Sequence, residues 1–266
     1  ILVQTLNNAI KNERIHHAYL LTGIRGVGKT TTARTIAKTI NCQQPELLGK
    51  ISVPCEKCIN CQAILANKQQ DIIEIDAASH TSVDNIREII VSAAYKPLSC
   101  KYKVFIIDEI HMLSKSAFNA LLKILEEPPA HVVFIFATTE VNKIPVTIIS
   151  RCQRFDLKRL SDKEIGDLLA NICNAENIAF DEEALTFIAH KAEGSARDSL
   201  SLLDQAAALS FSEKKITLQI IGEMLGNIEY KMVISLLNHI FRGQSKAALE
   251  QAQDIYRQSQ SLSEFM

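Results

Sequence analysis

The sequence predicts an α/β fold, in which a parallel sheet covered by helices on both faces is followed by a helical second half. Three observations predict it. Strand-length runs that are apolar throughout alternate with helical stripes as far as residue 157. The first such run, Ala18-Tyr19-Leu20-Leu21, passes through a glycine-rich loop into the first helical stripe. From Ser161 onward only helical periodicity is found. Strands without polar alternation are buried on both faces, as in a parallel sheet between helix layers.

The glycine-rich loop, Gly23-Ile24-Arg25-Gly26-Val27-Gly28-Lys29-Thr30, fits G-x-x-x-x-G-K-[ST]. Its glycines let backbone N–H groups turn inward around a phosphate, and the following helix N-terminus adds partial positive charge. Lys29 is placed to reach the β/γ-phosphates, and Thr30 to offer its hydroxyl to Mg²⁺. Gly23, Arg25, Gly26, Val27, Gly28, Lys29, Thr30 and Thr31 are the candidates for binding a nucleoside triphosphate. The helix itself is marked by Ala33, Ile36, Ala37 and Ile40 at i, i+3, i+4, i+7.

Next come the strand Ile72-Ile73-Glu74-Ile75 and a helix opened by Ser82, with Ile86, Ile89, Ile90, Ala93 and Ala94 on one face. The run Lys103-Val104-Phe105-Ile106-Ile107 is a buried strand ending at Asp108-Glu109. Two acids at such a strand end suit a division of labour, with Asp108 in the Mg²⁺ shell and Glu109 polarising the attacking water. Ala117, Phe118, Leu121, Leu122 and Leu125 stripe another helix, stopped by Pro128-Pro129. Val132-Val133-Phe134-Ile135-Phe136 then ends in Ala137-Thr138-Thr139, whose hydroxyls can orient a water near the γ-phosphate. A short helical segment, Pro145 to Ile149, precedes Ser150-Arg151-Cys152.

In the second half, Ser161-Asp162-Lys163-Glu164 is a capping box. Helices are expected from about Asp181 to Ala192 and from Ala196 to Leu209, with later stripes such as Val233, Leu236, Leu237 and Ile240. Domain boundaries fall near 158 and 224, giving units 1–158, 159–223 and 224–266. Arg197 sits in the first turn of its helix, where a cation opposes the helix dipole by about 0.3–1 kcal/mol. That placement hints at a neighbouring anion.

The 266 residues carry a net charge of −1, so any nucleic-acid contact must be local. No apolar run is long enough to cross a membrane. The chain opens on Ile1 and reads as a segment of a longer protein. Its cysteines, without an export signal, point to a reducing cytoplasm. Cys42 stands apart from Cys55, Cys58 and Cys61, which follow at C-x₂-C-x₂-C spacing. Four thiolates can close a structural zinc site over residues 42–61, although an iron–sulfur ligand set or unliganded thiols also fit the spacing. Cys100, Cys152 and Cys173 are scattered and read as buried small residues.

These motifs together resemble the gamma/tau ATPase subunits of bacterial DNA polymerase III clamp loaders, a branch of the AAA+ proteins. The resemblance rests on Arg14-Ile15-His16-His17-Ala18-Tyr19-Leu20 leading into the phosphate loop and on Glu74-Ile75-Asp76-Ala77-Ala78-Ser79. It rests also on Ile107-Asp108-Glu109-Ile110-His111-Met112-Leu113-Ser114, Asn119-Ala120-Leu121-Leu122-Lys123 and Leu125-Glu126-Glu127-Pro128-Pro129. Ala137-Thr138-Thr139, Ser150-Arg151-Cys152 and Glu193-Gly194-Ser195-Ala196-Arg197-Asp198-Ser199-Leu200 complete it, and the four-cysteine insertion is a gamma/tau trait. The resemblance covers about residues 4–226.

It implies an AAA+ P-loop core, a three-helix lid and the start of a helical collar that holds a pentamer together. Arg151 becomes an arginine finger acting in trans on the adjacent subunit's ATP, and Arg197 a lid arginine on this subunit's own γ-phosphate. The cofactors implied are ATP, Mg²⁺ and Zn²⁺. The partners are sister clamp-loader subunits, a sliding clamp, primer-template DNA and, through a C-terminal region beyond this chain, a polymerase core. The activity is ATP hydrolysis within a DNA-directed DNA polymerase holoenzyme whose polymerase site lies in another chain. DNA contacts are expected at backbone phosphates, from helix N-termini around Ser82 and near Thr147.

Three rival readings are weaker. Asp108-Glu109-Ile110-His111 reads as the DExH of a helicase, but a helicase needs a second α/β core. Asn142-Lys143-Ile144-Pro145 lacks the acid that guanine recognition requires. Intact Lys29, Thr30, Asp108 and Glu109 argue against a non-hydrolysing scaffold.

Overall fold

The computed structural model describes residues 2–12, 14–48, 51–66, 68–79, 83–210, 215–224 and 230–258. Ser82, expected to open a helix and to meet DNA, lies outside them. The described chain divides into two compact units, 1–159 and 160–266.

The first unit runs α1 (Leu2–Lys11), β1 (Ala18–Thr22), α2 (Lys29–Asn41), β2 (Glu46–Leu48), β3 (Ile51–Val53), α3 (Ile59–Leu65), β4 (Ile72–Asp76), α4 (Val83–Ala93), β5 (Lys103–Asp108), α5 (Lys115–Glu126), β6 (Val132–Thr138), α6 (Val146–Ile149) and β7 (Gln153–Asp156). Five strands form one parallel sheet in the order β4-β5-β6-β1-β7. The side-chain alternation of a strand divides the apolar runs between two cores. Leu20, Phe105, Ile107, Phe134 and Phe136 face α4, α5 and α6. Tyr19, Leu21, Val104, Ile106, Val133 and Ile135 face α1 and α2. Both faces are therefore covered, and β1, β5 and β6 are buried along nearly their whole length. The two edge strands, β4 and β7, are the exceptions, and on half-buried β4 Glu74 accepts a two-pronged bond from Arg34 at 2.7 and 2.6 Å.

Three features of this unit stand outside the expected elements. Helix α1 has a helical stripe, Leu2, Leu6 and Ile10 at i, i+4 and i+8, and packs it against the second core. The segment between Cys42 and Cys55 contains an antiparallel hairpin ladder in which Glu46 faces Val53 and Leu48 faces Ile51. After Arg151, the four residues of β7 close the free edge of β1.

The second unit contains α7 (Asp162–Ala175), β8 (Ala179–Phe180), α8 (Glu182–Lys191), α9 (Ala196–Leu209), β9 (Lys215–Ile216), α10 (Leu218–Met224), α11 (Tyr230–Phe241) and α12 (Ser245–Gln258). The expected capping box is present, with the Ser161 side chain and Glu164 bonding each other's backbone N–H groups. Ile165, Leu169, Leu185, Ile188, Leu203 and Ile221 form the core. The expectation of helices alone after Ser161 is corrected by the parallel pairing of β8 with β9. Two residues per strand are too few to leave a periodic trace.

Candidate nucleotide site and cysteine cluster

Because the strands are parallel, their C-terminal ends share one edge, and the candidate nucleotide residues gather there. Thr22 stands beside Thr138 on one side and Asp156 on the other, while Asp108 is level with Asp76. The phosphate loop springs from Thr22. A Cβ on Gly23 would lie 2.7 Å from the Leu157 carbonyl oxygen, so that position requires glycine. Gly28, at φ 95°, caps α2 in a left-handed conformation with open space where a side chain would be. α2 has neither a side-chain cap nor an acid in its first turn, which leaves its orphan N–H groups directed at the loop.

Lys29 is 6% exposed, and its ammonium spans the loop to the carbonyls of Gly23 and Ile24 at 3.1 and 3.0 Å. Burial lowers its pKa, and the charges of Glu109 and Asp108 offset part of that shift. Thr30 Oγ1 donates to Asp108 Oδ2 at 2.5 Å. That contact joins the two oxygens expected to hold Mg²⁺, so the donor set fits a hard cation. Arg25 and Thr31 are exposed on the loop and on the first turn of α2.

Glu109 follows β5 at φ 46° and ψ 44°, a left-handed conformation uncommon for a side-chain-bearing residue. Its own N–H donates to Asp108 Oδ1 at 2.8 Å. Glu109 Oε2 accepts from Thr139 N at 3.3 Å and from Thr139 Oγ1 at 3.2 Å. Thr138 is fully buried and accepts from Glu140 N at 3.0 Å. Thus Lys29, Thr30, Asp108, Glu109, Thr138 and Thr139 share one strand edge.

Arg151 does not share it. It precedes β7, whose first residue is level with Tyr19 near the start of β1, so it lies at the opposite edge. The five residues of β1 put about 17 Å between those edges. There Arg151 Nη2 meets Glu126 Oε1 at 2.6 Å, and Nη1 donates to the Thr147 carbonyl at 2.7 Å. Arg197 belongs to the second unit, exposed in the first turn of α9, whose Ser195 cap accepts from Asp198 N at 3.2 Å.

The four cysteines converge. Their sulfur atoms all lie within 4.8 Å of one another. Tetrahedral zinc at about 2.3 Å from each sulfur needs S···S separations of about 3.8 Å. Cys55, Cys58 and Cys61 each donate a backbone N–H to the preceding cysteine's sulfur, at 3.4, 3.3 and 3.5 Å. Such bonds favour thiolates: despite burial, the backbone N–H groups of Cys61 and Gln43 bring Cys58 down to about 6, while burial pushes Cys42 and Cys61 up. Four converging sulfurs are a donor set that fits a zinc ion. Of the scattered cysteines, Cys100 and Cys173 are buried as expected, whereas Cys152 is only partly so.

Sequence reasoning missed three side chains. Glu126 was noted only within a motif, although it holds Arg151. His111, which flanks Glu109 and Thr138, stands in the sequence only as the end of the DExH pattern and within a longer motif, and Glu140 carries no spacing signal of its own.

The comparisons with known proteins agree with this geometry. The family model described as "DNA polymerase III, delta subunit" matches residues 1–161, and that for the "DNA polymerase III clamp loader subunit, ATPase lid domain" matches 164–212. The chain is 44% identical to DNA polymerase III subunit tau/gamma of Haemophilus influenzae over 96% of its length, covering 36% of that protein. It is 48% identical to DNA polymerase III subunit gamma of Buchnera aphidicola subsp. Schizaphis graminum over 92% of its length, covering 66% of it. The chain thus spans between a third and two thirds of these relatives. The Thermotoga maritima RuvB Holliday junction branch migration motor superposes with a TM-score of 0.61 at 19% identity, over 91% of this chain and 74% of RuvB, a likeness of fold. With a phosphate loop and acid pair on one parallel sheet, a lid match directly after it and this identity to gamma and tau subunits, the chain belongs to the DNA polymerase III clamp-loader ATPases of the gamma/tau family.

Proposed function

We propose that this chain binds and hydrolyses ATP as a motor subunit of a clamp loader that places a sliding clamp on primed DNA. The observation that carries the reading is the strand edge where Lys29, Thr30, Asp108, Glu109 and Thr139 converge. Lys29 binds the β/γ-phosphates, exchanging the loop carbonyls of Gly23 and Ile24 for a stronger, charged acceptor. Thr30 and Asp108 hold Mg²⁺, and the bound ion supplies charge neutralisation at the phosphate oxygens. Glu109 accepts a proton from the attacking water, with Thr139 fixing its Oε2 and Thr138 buried behind. Arg197 contacts the γ-phosphate of its own subunit, and Arg151 that of the neighbour.

The domain reading is an ATPase core over 1–158, a lid over 159–223 and the beginning of a collar from 224. Zinc held by Cys42, Cys55, Cys58 and Cys61 is structural, since all four positions are taken by protein. On this reading the partners are sister subunits, the clamp, primer-template DNA and a polymerase core, and the likeness to gamma and tau subunits supports it. DNA contact is weak and salt-dependent in the isolated chain, given its near-neutral charge.

Two variants test the site. Lys29→Ala weakens nucleotide binding by at least about 100-fold, the loss of charge-assisted bonds to the phosphates. Glu109→Gln keeps the affinity and loses about 10²–10⁴ in hydrolysis, because only proton acceptance is removed. Fluorescent-nucleotide titration and phosphate release read the two separately. Equal nucleotide affinity in wild type and Lys29→Ala would overturn the assignment.

A further inference from the structure

His111 lies one turn beyond the acid pair with its side chain 7% exposed, so its ring polarity must be satisfied from within. Both nitrogens are engaged. Nδ1 is 3.0 Å from Thr138 Oγ1 and 3.3 Å from Glu109 Oε2, and Nε2 is 3.3 Å from Glu140 Oε1. The ring thus stands between two carboxylates, one at the end of β5 and one in the turn after β6. Every hydrogen bond made by the Glu109 carboxylate among the described residues falls on Oε2, from Thr139 N and Thr139 Oγ1, and the same oxygen stands 3.3 Å from His111 Nδ1. Its other oxygen, Oε1, is left to address water.

We propose that His111 is a positioning residue for Glu109, its Nδ1 edge confining Oε2 so that Oε1 presents its lone pair to the attacking water. The proposal rests on the reading of Glu109 as the proton acceptor. It follows from how little else holds that side chain. Glu109 sits in a left-handed backbone conformation at a turn, 30% exposed, and its Thr139 bonds are both longer than 3.1 Å. A carboxylate pinned from one side by two such bonds can swing about its χ angles, whereas a buried ring on the other side removes that freedom. Glu140, 3.3 Å from Nε2 and itself paired with Lys143 at 2.8 Å, stands at the far edge of the ring and limits its movement. The charged groups around the ring are therefore Glu109, Glu140 and, through Glu140, Lys143.

Two amide substitutions separate the roles of the nitrogens. His111→Asn places an N–H donor where Nδ1 was, and His111→Gln places one where Nε2 was. Steady-state hydrolysis by the intact subunit, assembled with its partner subunits, is expected to fall about 10- to 100-fold in kcat for His111→Gln and His111→Phe, the cost of a misplacement of about 1 Å. His111→Asn is expected to recover most of that loss, and nucleotide affinity is expected to stay within about two-fold throughout, as Oε2 is not a phosphate contact. Equal kcat for the Asn and Gln variants, or a kcat loss matched by a loss of affinity, would overturn the proposal, since general unfolding of the site moves both together. Glu109→Gln serves as the reference. If it hydrolyses at the wild-type rate, the proton-acceptor reading fails. If it is inactive while the His111 series stays flat, only the positioning role fails.

Discussion

Asp71 is 1% exposed and shows how this chain keeps a buried carboxylate charged. Its oxygens accept the backbone N–H groups of Leu98, Ser99 and Cys100 at 2.7, 2.8 and 2.9 Å, fixing the loop that leads into β5 and the acid pair. Burial pushes its carboxyl up, but the N–H groups of Ser99, Leu98 and Cys100 outweigh that and hold it below the usual carboxylate range. A depressed folded-state pKa gives stability that is present above the unfolded value, about 3.9, and is lost as pH falls through the folded value. Asp71→Asn turns an amide N–H₂ toward those donors and is expected to cost about 1–3 kcal/mol at neutral pH. Denaturant melts at pH 7 and near pH 3 should show the gap between wild type and variant narrowing in acid. A gap of constant size would mean that the charge plays no part. Nothing in the sequence around Asp71 marks this role, because the partners are backbone groups of a loop some distance away. Lys29, Asp108 and Glu109 were legible for the opposite reason, since phosphate and metal chemistry constrain residue type and spacing together.

At the scale of elements, legibility followed length and burial. β1, β5 and β6 are buried on both faces and leave uninterrupted apolar runs, whereas β7, β8 and β9 depend on pairing partners that a local window cannot contain. The cysteine module combines both cases, with ligand spacing visible and the β2–β3 hairpin between Cys42 and Cys55 not. That hairpin lets a long insertion start and end at one point, and Ser52 fastens it to Asn7 of α1 at 3.1 and 3.0 Å. The module is also joined to the core by Asn41, which exchanges bonds with the Tyr102 backbone at 3.0 and 2.8 Å. Its distance from the nucleotide is set by α2, whose 13 residues span about 20 Å between the phosphate loop and Cys42. Protein purified without chelator is therefore expected to carry about one zinc per chain. Removing the metal, or substituting Cys61→Ala, should raise amide exchange in residues 42–65 while nucleotide affinity stays nearly unchanged. Elemental analysis that finds no zinc would remove the assignment, and an equal loss of nucleotide affinity would remove its remoteness.

For the whole molecule, the placement of Arg151 bears on the proposal that it serves a neighbour's ATP. Sequence alone makes this arginine bland, and only its family resemblance assigned it a role in another subunit. The sheet shows only that it stands away from its own phosphate loop. With β1 and β7 parallel, the residue before β7 and the loop after β1 lie at opposite edges, and no side chain crosses the roughly 17 Å between them. In the single chain, Glu126 and the Thr147 carbonyl take up the guanidinium, so its charge is held at that far edge. A finger supplied to a neighbour is worth on the order of 10³–10⁵ in rate and nothing to its own site. The isolated chain should accordingly hydrolyse ATP slowly, and Arg151→Ala should leave both that slow rate and ATP affinity nearly unchanged. In the assembled loader the same substitution should remove clamp-stimulated hydrolysis, while Arg197→Ala should weaken its own subunit's site in either state. Mixed assemblies separate the two further, because an Arg151→Ala subunit should still turn over when a wild-type neighbour faces its ATP. Were Arg151→Ala to lower the isolated chain's ATP affinity as much as Arg197→Ala does, the guanidinium would have to reach its own phosphates, which the parallel register of β1 and β7 forbids.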